Sequence, residues 1–180
     1  KRKKNDKAKK QLKKNKKKNI LIRLEEDQAS YALKSKKIIP IIKKILETFE
    51  EENIVILSRY TVQIKKFEKE FDKRIKIIKM SYDGKYLLKN TNVFIGSGGT
   101  MTAESALLGI PTISYNAVPN IVENYLVKKK LIKRETNPDK VCNYMKKIFK
   151  ESNKKNTNRA KKIISEMEDP VQKLIKIIKE

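Results

Sequence analysis

Residues 93–115 read Val-Phe-Ile-Gly-Ser-Gly-Gly-Thr-Met-Thr-Ala-Glu-Ser-Ala-Leu-Leu-Gly-Ile-Pro-Thr-Ile-Ser-Tyr. The pattern is a buried strand, a glycine turn, a short helix and a second strand. Three of the chain's five glycines, Gly96, Gly98 and Gly99, fall in that turn, and Gly109 closes the helix after it. A glycine turn opening a helix presents unpaired backbone N–H groups and the positive end of the helix dipole, which together favour phosphate. Glu104, about one turn into the helix, stands where a carboxylate could hold a ribose hydroxyl pair while the backbone holds phosphates. Taken singly, each residue also has a plainer use: an acidic side chain near a helix start stabilises the dipole, and Thr100 or Thr102 could cap the helix. The motif is neither Gly-x-Gly-x-x-Gly nor a Walker loop. No Lys-Ser/Thr follows the glycines, and Arg59 stands at the end of the second strand where a dinucleotide fold places an acid.

The elements that must position this turn follow from the hydrophobic pattern. Short apolar runs at 20–24, 54–57, 75–80, 93–95 and 112–114 read as strands, with a shorter sixth at 131–133. Between them, apolar residues recur at helical spacing: Ile38, Ile41, Ile42, Ile45 and Phe49; then Tyr60, Ile64, Phe67 and Phe71; then Val141, Tyr144, Met145, Ile148 and Phe149. Asp83 and Gly84 mark a turn before a short helix, residues 121–127 look helical, and 153–158 reads as a polar break before C-terminal helices. Continuous apolar strands alternating with amphipathic helices specify an α/β fold, a doubly wound Rossmann-like parallel sheet with helices on both faces. In such sheets a ligand sits beyond the carboxyl ends of the strands at a switch point, where the turn at 96–100 would lie. The expected division is a lysine-rich linker or tail at 1–18, a binding domain at 19–152 and C-terminal helices at 153–180.

Composition narrows the partners. The 180 residues carry 45 Lys and Arg against 21 Asp and Glu, a net charge of +24, which raises nucleic acid or an anionic membrane. Yet residues 1–18 hold twelve basic side chains and one acidic one, so much of the excess is a tail. Only six of the basic residues are arginine, whereas base recognition draws on arginine forks and stacked aromatics. Nucleic acid is therefore disfavoured, and solvated lysine faces are the simpler reading. Cys142 is the only cysteine and histidine is absent, which excludes an internal disulfide and any histidine-based metal site or general base within the chain. No apolar run approaches the roughly 20 residues that span a bilayer. A cytoplasmic setting, at most peripheral at a membrane surface, is expected. The first residue is Lys and not Met, so the chain is expected to be part of something longer.

The run Gly-Ser-Gly-Gly-Thr-Met-Thr-Ala-Glu-Ser-Ala-Leu-Leu-Gly-Ile-Pro, residues 96–111, resembles the signature of the second domain of glycosyltransferases with two Rossmann-like halves (GT-B architecture). It is similar to the UDP-N-acetylglucosamine 2-epimerases and to the lipid-linked N-acetylglucosaminyltransferase of peptidoglycan synthesis. It looks most like an uncharacterised, largely archaeal, glycosyltransferase-like family catalogued as domain of unknown function 354. The likeness is specific at the loop and helix and diffuse over the rest of residues 20–149.

The resemblance implies a site for the nucleotide half of a nucleotide sugar, a UDP-sugar such as UDP-N-acetylglucosamine, with no separate cofactor or metal. Gly98, Gly99, Thr100 and Met101 would match the backbone amides on the diphosphate. The Thr100 and Thr102 hydroxyls would add donors, and Glu104 would match the ribose-holding acid. Arg23 and Arg59, at the ends of the first two strands, would neutralise phosphate, and residues 81–83 would lie near the base. The departures count too. Epimerases of this kind carry a His-Arg-Arg-Glu-Asn-like stretch where this chain has Arg23-Leu24-Glu25-Glu26-Asp27, so epimerase chemistry in that form is disfavoured. Retaining GT-B enzymes place a second glutamate eight residues before the ribose acid, where Gly96 stands here. The expectation is the donor-binding C-terminal half of an inverting glycosyltransferase, with base and acceptor site supplied by a missing N-terminal Rossmann domain. The alternatives are a non-catalytic subunit that docks on a separate acceptor-binding partner, and a basic nucleic-acid binder driven by the tail. No catalytic residue is assigned within the chain, and an anionic membrane surface is compatible with the first two readings.

Overall fold

A computed structural model describes residues 17–25, 38–58, 60–71, 74–78, 83–116 and 118–179. The lysine-rich tail apart from Lys17 and Lys18, Arg59, Ser81 and Tyr82 lie outside those residues. Six strands are described: β1 (Asn19–Arg23), β2 (Asn53–Leu57), β3 (Ile75–Ile78), β4 (Val93–Gly96), β5 (Thr112–Ser114) and β6 (Ile132–Arg134). Every pairing is parallel, in the order β3-β2-β1-β4-β5-β6. Around them, among the described residues, are α1 (Ile38–Thr48), α2 (Thr61–Glu70), α3 (Gly84–Lys89), α4 (Thr100–Leu107), α5 (Ile121–Lys128), α6 (Pro138–Lys150), α7 (Lys154–Ser165) and α8 (Pro170–Lys179).

Because successive side chains of a strand point to opposite faces, the apolar runs feed two cores. Ile20, Ile22, Ile54, Ile56, Val93, Ile95, Ile113 and Tyr115 pack on one face against α1 and against Val141, Cys142 and Met145 of α6. Leu21, Val55, Leu57, Ile78 and Phe94 pack on the other against Leu87 and Leu88 of α3 and against Ile110. A third cluster, Ala106, Leu126, Leu131, Ile132, Ala160 and Ile163, ties α4, α5, β6 and α7 together. Strands buried on both faces are why these segments read as unbroken hydrophobic runs rather than alternating ones.

One expectation is corrected. The polar stretch 153–158 is not a break, since α7 begins at Lys154. The Asn153 and Asn156 side-chain amides donate to the Gly109 carbonyl at 2.9 and 3.2 Å, and Thr157 Oγ1 donates to the Asn153 carbonyl. The polar residues thus fasten the first turn of the helix to the loop after α4, while Ala160 and Ile163, further along, carry its buried face.

The two ends of the sheet differ. At the amino end Asn53 Nδ2 donates to Asn19 Oδ1 at 2.7 Å, Asn19 Nδ2 to the Asn90 carbonyl at 2.8 Å, and Lys76 Nζ to Asn53 Oδ1 at 2.6 Å. This polar chain stitches β1, β2 and β3 to the loop before β4. At the carboxyl end the strand order reverses between β1 and β4. That is the switch point where a crevice opens in doubly wound sheets.

Candidate functional site

The glycine turn sits at the carboxyl end of β4, directly at this switch point. Ile22 and Ile95 are register partners, so the next residues, Arg23 and Gly96, leave adjacent strands at the same edge. Gly96 is held in a tight place: a Cβ there would meet Thr102 Oγ1 and come 2.6 Å from Phe94 Cε1. Gly98 takes φ +102°, a conformation that L side chains rarely adopt. Gly99 is the N-cap residue of α4, and no side chain caps that end.

The orientation of the amides decides what the turn can hold. Gly98 N–H donates to Thr102 Oγ1 at 3.2 Å, with Thr102 only 2 % exposed. Those two groups, both expected at the diphosphate, are bonded to each other. The N–H groups of Gly99, Thr100 and Met101 have no acceptor among the described residues. Three consecutive unpaired donors at a helix N-terminus are the local geometry that receives an anionic oxygen. Neither Thr100 nor Thr102 is the cap. Glu104 is the fifth residue of α4, so no acid stands in its first turn. Its exposed carboxylate is thus too far along to serve chiefly as a dipole partner.

Arg23 ends β1, and its Nη1 donates to the Ser58 carbonyl at 3.2 Å. Tyr115, fully buried just past β5, donates its hydroxyl to the Arg23 carbonyl at 3.3 Å. Asp83 caps α3 by accepting from Tyr86 N–H at 3.1 Å, so this member of the expected base-side segment already has a structural task. Arg59 falls outside the described residues. Among the described residues no group of His, Cys, Asp or Glu has the arrangement of a metal site.

Burial first, and the neighbouring Glu25 carboxylate second, push the Tyr115 hydroxyl well above its ordinary value of 10.0. A folded pKa raised above the unfolded one contributes stability that is complete below about pH 10 and is lost as pH rises through the folded value. Tyr115→Phe is therefore expected to flatten the alkaline limb of the stability curve. Denaturant titrations between about pH 9 and 11 check this, and an unchanged slope would count against it.

Four residues that join this corner together were not singled out from the sequence: Ser97, Asn120, Glu123 and Arg134. The Ser97 carbonyl accepts from Val118 N–H at 2.9 Å. Asn120 accepts from Glu123 N–H at 2.8 Å, capping α5, and its amide donates to the Gly98 carbonyl and to that of Val118. The Asn-x-x-Glu spacing was legible as a helix start. It gave no sign that the Glu123 carboxylate turns away from its own helix end, to accept from Arg134 Nε at 2.9 Å.

Fold and turn together place the chain among Rossmann-like α/β domains of the GT-B type, the fold of known glycosyltransferases and UDP-GlcNAc 2-epimerases. The chain belongs to the family described as a protein of unknown function (DUF354), whose model matches residues 3–180. It is 34% identical over 120 residues to the uncharacterized protein MJ0665 of Methanocaldococcus jannaschii, covering 65% of this chain and 34% of that one. The UDP-GlcNAc 2-epimerase of Neisseria meningitidis, solved bound to UDP-GlcNAc, superposes with a TM-score of 0.66 at 15% identity. That match covers 88% of this chain and 42% of the epimerase. The glycosyltransferase SnogD of Streptomyces nogalater superposes with a TM-score of 0.61 at 15% identity over 92% of this chain and 45% of its own. The chain thus spans a third to under half of the length of these relatives.

Proposed function

We propose that this domain grips the nucleotide part of a nucleotide sugar, a UDP-sugar by preference, as the C-terminal half of an inverting glycosyltransferase-like protein. The observation that carries the reading is the row of three unpaired N–H groups at Gly99, Thr100 and Met101, set at the switch point with Glu104 one turn beyond. The amides take the diphosphate, with Gly98 and Thr102 shaping the turn behind them and the Thr100 hydroxyl as a further donor. Glu104 accepts from the ribose hydroxyls, and Arg23, with Arg59, neutralises phosphate charge. When the sugar departs, the same helix N-terminus and arginine stabilise the diphosphate leaving group. The nucleotide is itself part of the substrate, so the reading calls for no separate cofactor.

The acceptor site and base belong to a second half, in the same polypeptide or in a separate subunit. Relatives about twice as long support this. So does α8, which exposes Val171, Leu174, Ile175, Ile177 and Ile178 and buries no residue. No helix of the described residues is long and apolar enough to cross a membrane. The neighbouring reading frame separates the two arrangements: an α/β segment fused upstream marks one enzyme, and a separate frame marks a subunit.

A nucleotide-sugar panel read by thermal shift tests the site. A ligand at 100 times its Kd should stabilise the fold by about 2.7 kcal/mol. Glu104→Ala is expected to weaken UDP binding at least about tenfold, the loss of one charged hydrogen bond. It should leave the already weaker binding of 2′,3′-dideoxy-UDP unchanged. No response to any uridine nucleotide would overturn the assignment. Binding that vanishes with salt and follows the lysine tail would point instead to nucleic acid.

A further inference from the structure

Behind the glycine turn lies a charged group that the proposed contacts with nucleotide do not use. Glu123 is 1 % exposed. One carboxylate oxygen accepts from Arg134 Nε at 2.9 Å, and the other, Oε2, is buried without a hydrogen-bond partner among the described residues. That second oxygen occupies the space a side chain at position 98 would need, since a Cβ built on Gly98 meets Glu123 Oε2 and lies 2.7 Å from the Val118 carbonyl. Arg134 is itself tied down, with Nη2 donating to Asn124 Oδ1 at 2.7 Å. Asn120 links the same two elements by joining the start of α5 to the Gly98 carbonyl.

A buried carboxylate oxygen left unpaired is costly. The Arg134 clamp nonetheless keeps the side chain in that space, so the volume it fills beside Gly98 is what has to be accounted for. We propose that Glu123, clamped by Arg134, is a positioning residue for the glycine turn: its carboxylate fills the volume opposite Gly98 and holds the peptides of 98–101 with their free N–H groups facing outward. Its importance for ligand binding rests on the reading of those amides as the diphosphate grip. Gly98 at φ +102° has no side chain to fix it. The turn's conformation is therefore set from outside, by the group packed into the space its side chain would have occupied.

Two variants and two readouts test this on the full chain. Glu123→Ala is expected to displace the backbone amide resonances of Gly98, Gly99, Thr100 and Met101 in a nitrogen-15 correlation spectrum without nucleotide. It should also weaken UDP binding about tenfold by calorimetry. Glu123→Gln, which keeps the volume and an acceptor for Arg134, should restore both to near wild type and covers the case in which the alanine variant folds poorly. Wild-type UDP binding with unaltered affinity in both variants would overturn the proposal, as would unmoved turn resonances in Glu123→Ala. If the wild type binds no UDP but the turn resonances move in Glu123→Ala and return in Glu123→Gln, the positioning role stands and the nucleotide reading alone falls.

Discussion

Gly98→Val is expected to abolish measurable UDP binding while costing the fold several kcal/mol. Three independent strains converge at this position. A β-branched residue at φ +102° is forced into a region that costs L residues on the order of 1–2 kcal/mol. Its Cβ would stand 2.7 Å from the Val118 carbonyl, which is backbone and held by Val118 N–H on the Ser97 carbonyl at 2.9 Å. It would also collide with the Glu123 carboxylate, which Arg134 holds in place. The turn can escape only by rotating the 98–99 peptides. That redirects the N–H groups of Gly99 and Thr100, and the loss of two charged hydrogen bonds corresponds to about a hundredfold in affinity or more. Gly84→Ala provides the control: nothing lies within 4 Å of a Cβ there, and both stability and binding should be unchanged or slightly improved. Calorimetry with UDP, alongside thermal unfolding, reads both effects. Wild-type affinity in Gly98→Val would sink the diphosphate assignment.

Phe94→Ala is expected to be the most destabilising single truncation near the site. Phe94 is fully buried in the middle of β4 and belongs to the face packed against α3. Its ring also lies 2.6 Å from where a Cβ on Gly96 would stand, so it walls the glycine turn from one side. Truncating a buried phenylalanine costs about 3–5 kcal/mol through lost transfer energy and the cavity left behind. In a chain of this size each kcal/mol moves the melting temperature by about 2–4 °C, so a drop on the order of 10 °C should appear in circular dichroism. Ile121→Ala, at a residue 86 % exposed, should leave the transition in place. A Phe94→Ala transition within a degree or two of wild type would show that β4 does not sit in a closed core.

Much of this protein was legible along the chain. The strands at 20–24, 54–57, 93–95 and 112–114 coincide with β1, β2, β4 and β5 to within a residue or so at either end. Burial on both faces of a parallel sheet leaves a local mark, an unbroken apolar run of four or five residues. Asp83 before Gly84 and Gly109 before Pro111 marked helix ends through backbone chemistry that needs no distant partner. The polar stretch at 153–158 misled because its asparagines bond to Gly109, more than forty residues back. Composition reports polarity and not the partner that satisfies it.

The glycine turn shows the same division most clearly. Residue types and spacing by themselves determined that a bare backbone opens a helix beside an apolar strand, with Glu104 one turn on, because turn and helix signals act over a few residues. Only the tertiary structure decided which amides are free. Gly98 N–H is taken by Thr102, while the N–H groups of Gly99, Thr100 and Met101 have no partner among the described residues. Only the tertiary structure brought Glu123 and Arg134, from α5 and β6, behind Gly98. A glycine in sequence says that some space is needed. What fills that space is settled by the parallel order β4-β5-β6, which folds residues 25 and 36 positions downstream onto the back of the turn.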